Sequence, residues 1–350
     1  MLVLDRGRET CEDHWFRDLP ELLSGNELIV VNNVRVLPAR LLGQRVGVHA
    51  ERAGRQGRGR REYLHSVIEI LLVREIAPSV WEALVRPGRK VRTGERIRFG
   101  EGELEGEVIG RGNYGLRQLR FAARAGFEQA LEQLGHVPLP PYIKRPDEAA
   151  DRERYQTIFA RQGQAVAAPT AGLHFSEAIL ASLLARGIEF CEITLQVGLG
   201  TFEPIRAQRV EDHTMHREAY EIPEAAAYAI DRARREGRPV LAVGTTVVRA
   251  LEDAALKCAA QGVQNGEAPV IRPGRAEADL FIYPGHRFRV VDQLLTNFHL
   301  PRSSLLVMVA AFAGREFILR AYRHGVEQGY RFYSYGDCML VRGTSPAGGG

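Results

Sequence analysis

The sequence predicts an α/β fold: a large mixed, mainly parallel sheet flanked by helices, with a small antiparallel β-barrel inserted into it. Three observations carry that expectation. From Gln164 onward, short β-rich runs alternate with segments of helical periodicity, the pattern of strands laid side by side with helices on their faces. Between Val67 and Phe121 the runs VIEILLV, WEALVRP, ERIRFG, ELEGEVIG and YGLRQLRF are separated by glycine-containing turns with no helical stretch, as in a small barrel or sandwich. Gln164 to Phe175, QAVAAPTAGLHF, reads as a small-residue strand entering a turn and then a helix, the type of junction where open α/β sheets bind ligands. The expected division is a discontinuous catalytic domain, residues 1–45 and 125–345, interrupted by a barrel domain, residues 46–124.

In chain order, Glu27–Asn33 (ELIVVNN) is a buried strand leaving its sheet, with Arg35 and Arg40 flanking Pro38 beyond it. Glu51–Glu62 carries arginines at 52, 55, 58, 60 and 61 without apolar periodicity and reads as a solvated loop. Gly110–Gly115 (GRGNYG) matches a dinucleotide pattern, but a strand follows where a helix N-terminus is needed, so it reads as a hairpin turn. Phe127–Leu134 places Phe127, Ala130, Leu131 and Leu134 on one helical face, with Gly135 as C-terminal cap. Pro138, Pro140 and Pro141 then stiffen the path that presents His136, Tyr142, Lys144 and Arg145, as a ligand site or an interdomain linker would require.

Pro169 ends the ladder of the Gln164 strand, Gly172 relaxes the turn, and Ser176 is the expected N-cap of a helix to Arg186. The small residues before Pro169 leave room for a close neighbour, either backbone or a flat ligand. Ile188–Val197 is the next strand, and helices follow at Pro223–Glu236 and Thr246–Ala260 around the strand PVLAV, 239–243. Strands are expected around LFIY and VVDQLLTNF, then helices Ser303–Ala313 and Glu316–Gln328, and a last strand ending in Tyr335 and Cys338.

Composition limits the function. The chain has 350 residues, 45% hydrophobic and 26% charged, and its net charge of +4 is too mild to indicate a nucleic-acid partner without a local patch. Four cysteines, at 11, 191, 258 and 338, form no C-x-x-C pair, which argues against a zinc ribbon, an iron–sulfur cluster or a redox dithiol. The amino terminus lacks the marks of a secretory leader, and the longest apolar run, Leu305–Ala313, is too short for a bilayer; a cytoplasmic protein is expected. P-loop and nucleophile-elbow motifs are absent.

Polar clusters recur at strand ends. In EDHTMHRE, Glu211–Glu218, the pair His213 and His216 has weak metal-ligand spacing and no third ligand, so proton transfer or substrate contact by His213, His216 or Glu218 is expected and a metal is not. VGTTVVRALE, Val243–Glu252, sets Gly244, Thr245 and Thr246 between strand and helix, where amides and hydroxyls suit a carboxylate or phosphate, with Arg249 one turn on. TNFHLPRSS, Thr296–Ser304, brings Asn297 and His299 to another strand end, and VGLGTFEPIR, Val197–Arg206, is a glycine-rich loop. Residue chemistry thus leads to an α/β enzyme with a cleft rich in His, Thr and Arg, and no further.

Together these segments resemble the S-adenosylmethionine:tRNA ribosyltransferase-isomerase family of queuosine biosynthesis. VNNVRVLPARLLG, GHVPLPPYIKRPDEAADRERYQTIF, AVAAPTAGLHFS, LQVGLGTFEPIR, EDHTMHRE, VGTTVVRALE, FIYPG, VVDQLLTNFHLP and YRFYSYGD stand in family order between about Asn26 and Asp337. The resemblance implies transfer of the ribosyl part of S-adenosylmethionine, consumed as donor, to 7-aminomethyl-7-deazaguanine at the tRNA wobble position. The products would be epoxyqueuosine, adenine and methionine. The partner so implied is tRNA; no membrane is expected, and the chain is expected to act as a monomer. The chemistry needs a base beside the sulfonium, for which His174, His213, His216 and Glu218 are candidates. Thr245, Thr246 and Arg249 are candidates for the methionine carboxylate or ribose, and Tyr142, Arg145, Asn297 and His299 for base or RNA contacts. Asn32, Arg35, Thr170 and Gly172 complete the substrate-binding set.

Two departures from the family stand out. A segment ahead of MLVLD, with Leu-Ile-Ala, a proline and an Arg-x-x-Ser-Arg motif, is expected and not present in this sequence, which bears on stability and activity. The run 52–61 exceeds the family's turn and could contact tRNA phosphate. Two competing expectations are an inactive RNA-binding relative and another ribosyl- or methyl-transferring enzyme acting on a small molecule.

Overall fold

The computed structural model describes residues 1–46, 67–112, 115–140, 142–198, 205–261 and 269–343. The arginine run 52–61, the centre of GRGNYG and most of VGLGTFEP lie outside the described residues. The chain divides into two compact units, Met1–Arg35 with Arg154–Gly350, and Val36–Glu153.

Its strands are β1 (Leu2–Asp5), β2 (Thr10–Asp13), β3 (Leu28–Asn32), β4 (Val34–Val36), β5 (Arg40–Arg45), β6 (Val67–Ala77), β7 (Val80–Arg86), β8 (Arg96–Phe99), β9 (Leu104–Arg111), β10 (Arg117–Ala123), β11 (Gln162–Ala165), β12 (Glu189–Leu195), β13 (Glu218–Ile222), β14 (Val240–Val243), β15 (Gly274–Ala278), β16 (Gln293–Asn297) and β17 (Cys338–Arg342).

The smaller unit is a closed antiparallel barrel in the order β10-β7-β6-β5-β8-β9. Period-two alternation turns Ile68, Ile70, Leu72, Ile97 and Phe99 inward. A Cβ on Gly43 would lie 2.6 Å from the Phe99 ring, so the glycine makes room for that ring inside the barrel. The helix Phe127–Leu134 packs Phe127 on Trp81 and Phe121, with ring centroids 5.7 and 5.1 Å apart. Gly135 caps this helix, but with extended backbone (φ −78°) and not the left-handed turn a glycine cap usually supplies. The reason for a glycine is space: a Cβ there would sit 2.1 Å from the Pro38 carbonyl oxygen.

The larger unit is a nine-stranded mixed sheet in the order β15-β13-β12-β3-β14-β16-β17-β1-β2. β12, β3, β14 and β16 run parallel to one another, and the outer pairs are antiparallel apart from β1 with β17. LIVVN in β3 and VLAV in β14 are buried throughout, as central strands covered on both faces must be. From β3 the chain passes to β12 on one side and later to β14 on the other. The strand order reverses at this point, leaving a crevice at the carboxyl ends of these strands. Ser176 and Ser303 cap their helices as expected, each side chain accepting the N–H three residues on.

Three expectations are corrected. β11 lies outside the nine-stranded sheet in a two-stranded ribbon, and Thr170–His174 after it is a short 3-10 helix, so this stretch is not a βα junction of the main sheet. Its small residues serve close packing, since a Cβ on Gly172 would stand 2.9 Å from the Thr157 methyl group. LFIY, 280–283, is an irregular segment beyond β15, because its apolar residues face a cleft and not a strand neighbour. The last strand begins at Cys338 where it was expected to end.

Candidate active site

Gly244 leaves β14 with φ +93°, a conformation that glycine tolerates, and the sixteen-residue helix Thr245–Ala260 starts at once. The first N–H groups of this helix have no partner within it. A cleft beside them is lined by His216, Glu218, Thr245, Thr246, Arg249 and Ser304 on its polar side, with Leu280, Phe281, Ile282 and Met308 as an apolar wall. Ser304 opens the helix Ser304–Ala313, so two helix N-termini border one cleft. Thr246 is 8% exposed and its Oγ1 is buried without a hydrogen-bond partner. An orphaned hydroxyl beside the amides of a helix N-terminus is chemically suited to an oxygen anion.

Arg249 lines this cleft with its guanidinium held by protein acceptors. Its guanidinium, 3% exposed, donates to Glu218 Oε2 at 2.6 Å and to the carbonyls of His216, Ala278 and Leu280 at 2.6, 2.8 and 3.0 Å. Glu218 Oε1 in turn accepts the Gly198 N–H at 2.9 Å. The pair therefore ties the start of β13, the end of β15 and the chain beyond β12 to one helix.

A second polar group lies beside Gly244, where Ala171 packs within 3.8 Å of a Cβ built on that glycine. Thr170 Oγ1 donates to Asn297 Oδ1 at 2.9 Å, and Asn297 Nδ2 lies 3.2 Å from His174 Nε2. Phe16 covers the imidazole, ring centroids 5.3 Å apart. Burial pushes His174 down to about 4, against the opposing pull of Asp337. His299, hydrogen-bonded through Nε2 to Thr296 Oγ1 at 2.7 Å, is pushed by burial to about 3. Both imidazoles are neutral at physiological pH.

A family model described as queuosine biosynthesis protein matches residues 1–341. S-adenosylmethionine:tRNA ribosyltransferase-isomerase of Solibacter usitatus is 51% identical over 97% of this chain and 92% of its own length. The enzyme of that name from Moorella thermoacetica is 47% identical, with the same coverage. The chain belongs to this family. It is a ribosyltransferase-isomerase of queuosine biosynthesis. The crystal structure of S-adenosylmethionine tRNA ribosyltransferase from Thermotoga maritima is 31% identical, covers 97% of this chain and 91% of its own, and superposes with a TM-score of 0.47. The reading as an inactive RNA-binding relative gains no support from relatives named as enzymes.

In this ribosyltransferase-isomerase the sequence candidates fall into distinct places. His216, Glu218, Thr245, Thr246 and Arg249 meet at one cleft. His213 stacks edge-on against Phe281 of the same wall, ring centroids 5.0 Å apart. Thr170, His174 and Asn297 form one hydrogen-bonded chain, with Gly172 in the same turn, and His299 follows Asn297 by two residues. Asn32 is structural: its amide donates to the Leu195 carbonyl and accepts the Leu195 N–H, both at 3.0 Å, extending the β3–β12 ladder. Arg35 is exposed. Tyr142 and Arg145 belong to the barrel unit, where Arg145 grips Asp151 at 2.6 and 2.8 Å. Sequence reasoning missed Phe16, Ser304, Met308 and Asp337. Only YRFYSYGD and the helix start at Ser303 signalled any of them.

Proposed function

We propose that this chain transfers the ribosyl group of S-adenosylmethionine to 7-aminomethyl-7-deazaguanine at the wobble position of tRNA and isomerises it, giving epoxyqueuosine with release of adenine and methionine. The observation that carries the reading is the orphaned Thr246 hydroxyl at a helix N-terminus beside an apolar wall. That arrangement suits the methionine carboxylate at the amides and the remainder of S-adenosylmethionine along Leu280–Ile282 and Met308.

The sulfonium acidifies the adjacent 5′ carbon, and loss of its proton to a base gives an ylide. Adenine leaves with the electron pair of its bond to the ribose, and methionine leaves with that of its bond to the 5′ carbon. The ribosyl carbons so freed bond to one another and to the amine, which gives up a proton. We assign the proton of the 5′ carbon to His216, which lies on the cleft wall. Glu218 is committed to Arg249 and Gly198, and burial leaves His174 little proton affinity. Arg249 acts as the brace of the site, and Thr245 and Thr246 as its carboxylate contact. tRNA is the partner, and the cytoplasm, where tRNA resides, is the place of reaction; the working unit is a monomer without a metal.

His216→Gln tests the assignment. Turnover should fall about 10²-fold or more while S-adenosylmethionine still binds; unchanged turnover would remove His216 as base.

A further inference from the structure

We propose that Asn297 and Thr170 are positioning residues that hold His174 as a neutral hydrogen-bond donor, with its proton on Nδ1 and Nδ1 turned to the substrate. The inference rests on the reading of this crevice as the site of ribosyl transfer. It departs from that reading in giving His174 a donor's role, where the residue types alone also allowed a base.

The geometry is a three-membered chain. Thr170 Oγ1 donates to Asn297 Oδ1 at 2.9 Å, and with the amide in this orientation Nδ2 faces His174 Nε2 at 3.2 Å. An amide nitrogen can only donate, so Nε2 accepts, and in a neutral ring the proton then resides on Nδ1. Among the described residues the ring's hydrogen bond is the one through Nε2, which leaves Nδ1 for a ligand. Each member is fixed by its element. Thr170 and His174 open and close the 3-10 turn, Asn297 ends β16 at 3% exposure, and Phe16 lies against the ring. His174 remains neutral because it is buried; Asp337 pulls its affinity up, while Arg331 and the amino terminus pull it down.

A neutral imidazole N–H is too weak an acid to hand its proton over outright. It can stabilise charge as that charge develops, and in this reaction negative charge develops on the departing adenine. Breaking the ribose–adenine bond leaves its electron pair on the purine, and a donor at Nδ1 supports that pair until solvent protonates the base. His174 is thus assigned to leaving-group stabilisation, separate from the proton abstraction at the sulfonium side.

The test reads the tautomer directly, in the full-length protein labelled with ¹⁵N-histidine, with the His174 resonances identified by their loss in His174→Gln. The expected result is a protonated Nδ1 and a bare Nε2 at pH 7. Asn297→Asp replaces the donor by an acceptor and should move the proton to Nε2. It should also lower kcat roughly 10²-fold with KM for S-adenosylmethionine within about twofold. Thr170→Val, which removes only the hydroxyl, should give both tautomers and a smaller kcat loss, and guards against a folding defect in the first variant. A wild-type protein with its proton on Nε2, or an Asn297→Asp protein whose proton stays on Nδ1, would overturn the proposal. The tautomer is read without turnover, so a wild-type protein that makes no epoxyqueuosine would count against the assigned reaction alone.

Discussion

Thr246 concentrates what single residues do here. Its buried hydroxyl lacks a partner, and an unmade hydrogen bond of this kind costs about 1–3 kcal/mol. Thr246→Val keeps the shape and removes the cost. The free protein should therefore become more stable by about 1 kcal/mol in denaturant unfolding, while affinity for S-adenosylmethionine falls about tenfold by calorimetry. Opposite signs in the two measurements identify a ligand contact, and a fall in both would mark the hydroxyl as structural. Glu218 behaves the other way. Replacing it by Gln leaves the buried Arg249 guanidinium without its counter-charge and should cost about 3 kcal/mol of stability. Denaturant unfolding unchanged by Glu218→Gln would contradict the bracing role.

At the scale of elements, the carboxyl end of β16 joins two depressed histidines, His174 and His299, one against Asn297 and the other two residues beyond it. Both lie below the ordinary histidine value, so the unfolded chain binds protons that the folded one refuses. Stability is therefore complete above about pH 6.5 and is lost as pH falls toward 4, by at most about 1.4 kcal/mol per pH unit for each ring. His299→Gln should flatten the melting-temperature profile between pH 6.5 and 4.5, and an unaltered slope would exclude His299 as a contributor.

Much of this arrangement was legible in particular residues. The apolar runs of β3 and β14 and the caps Ser176 and Ser303 stand where the sequence predicts them, because burial and capping are decided within a few positions. The irregular path of 280–283 was not legible, since an apolar run reads alike whether it meets a neighbouring strand or lines a cleft. Nor could sequence assign Arg249 to bracing, because its acceptors lie about thirty positions away in the chain. The departure of the segment 162–175 from the main sheet was hidden for the same reason: Gly172 answers to Thr157 and Ala171 to Gly244, contacts that no local pattern encodes.

For the whole molecule, the sheet supplies a crevice where its strand order reverses, and two helix starts and a buried brace border that crevice beside an apolar wall. The partner adds a demand that small molecules do not, since tRNA phosphates bind with a salt dependence set by the number of contacts. Deleting residues 52–61, which carry five arginines, should flatten the plot of log affinity for tRNA against log salt while leaving S-adenosylmethionine affinity unchanged. An unchanged slope would exclude that run from the tRNA interface.

The central claim is the fate of the donor. Incubation with S-adenosylmethionine and tRNA carrying 7-aminomethyl-7-deazaguanine, followed by nuclease digestion and mass analysis, should yield epoxyqueuosine, with adenine and methionine released in equal amounts. A methylated nucleoside appearing with S-adenosylhomocysteine, or an unmodified deazaguanine with the donor intact, would contradict it.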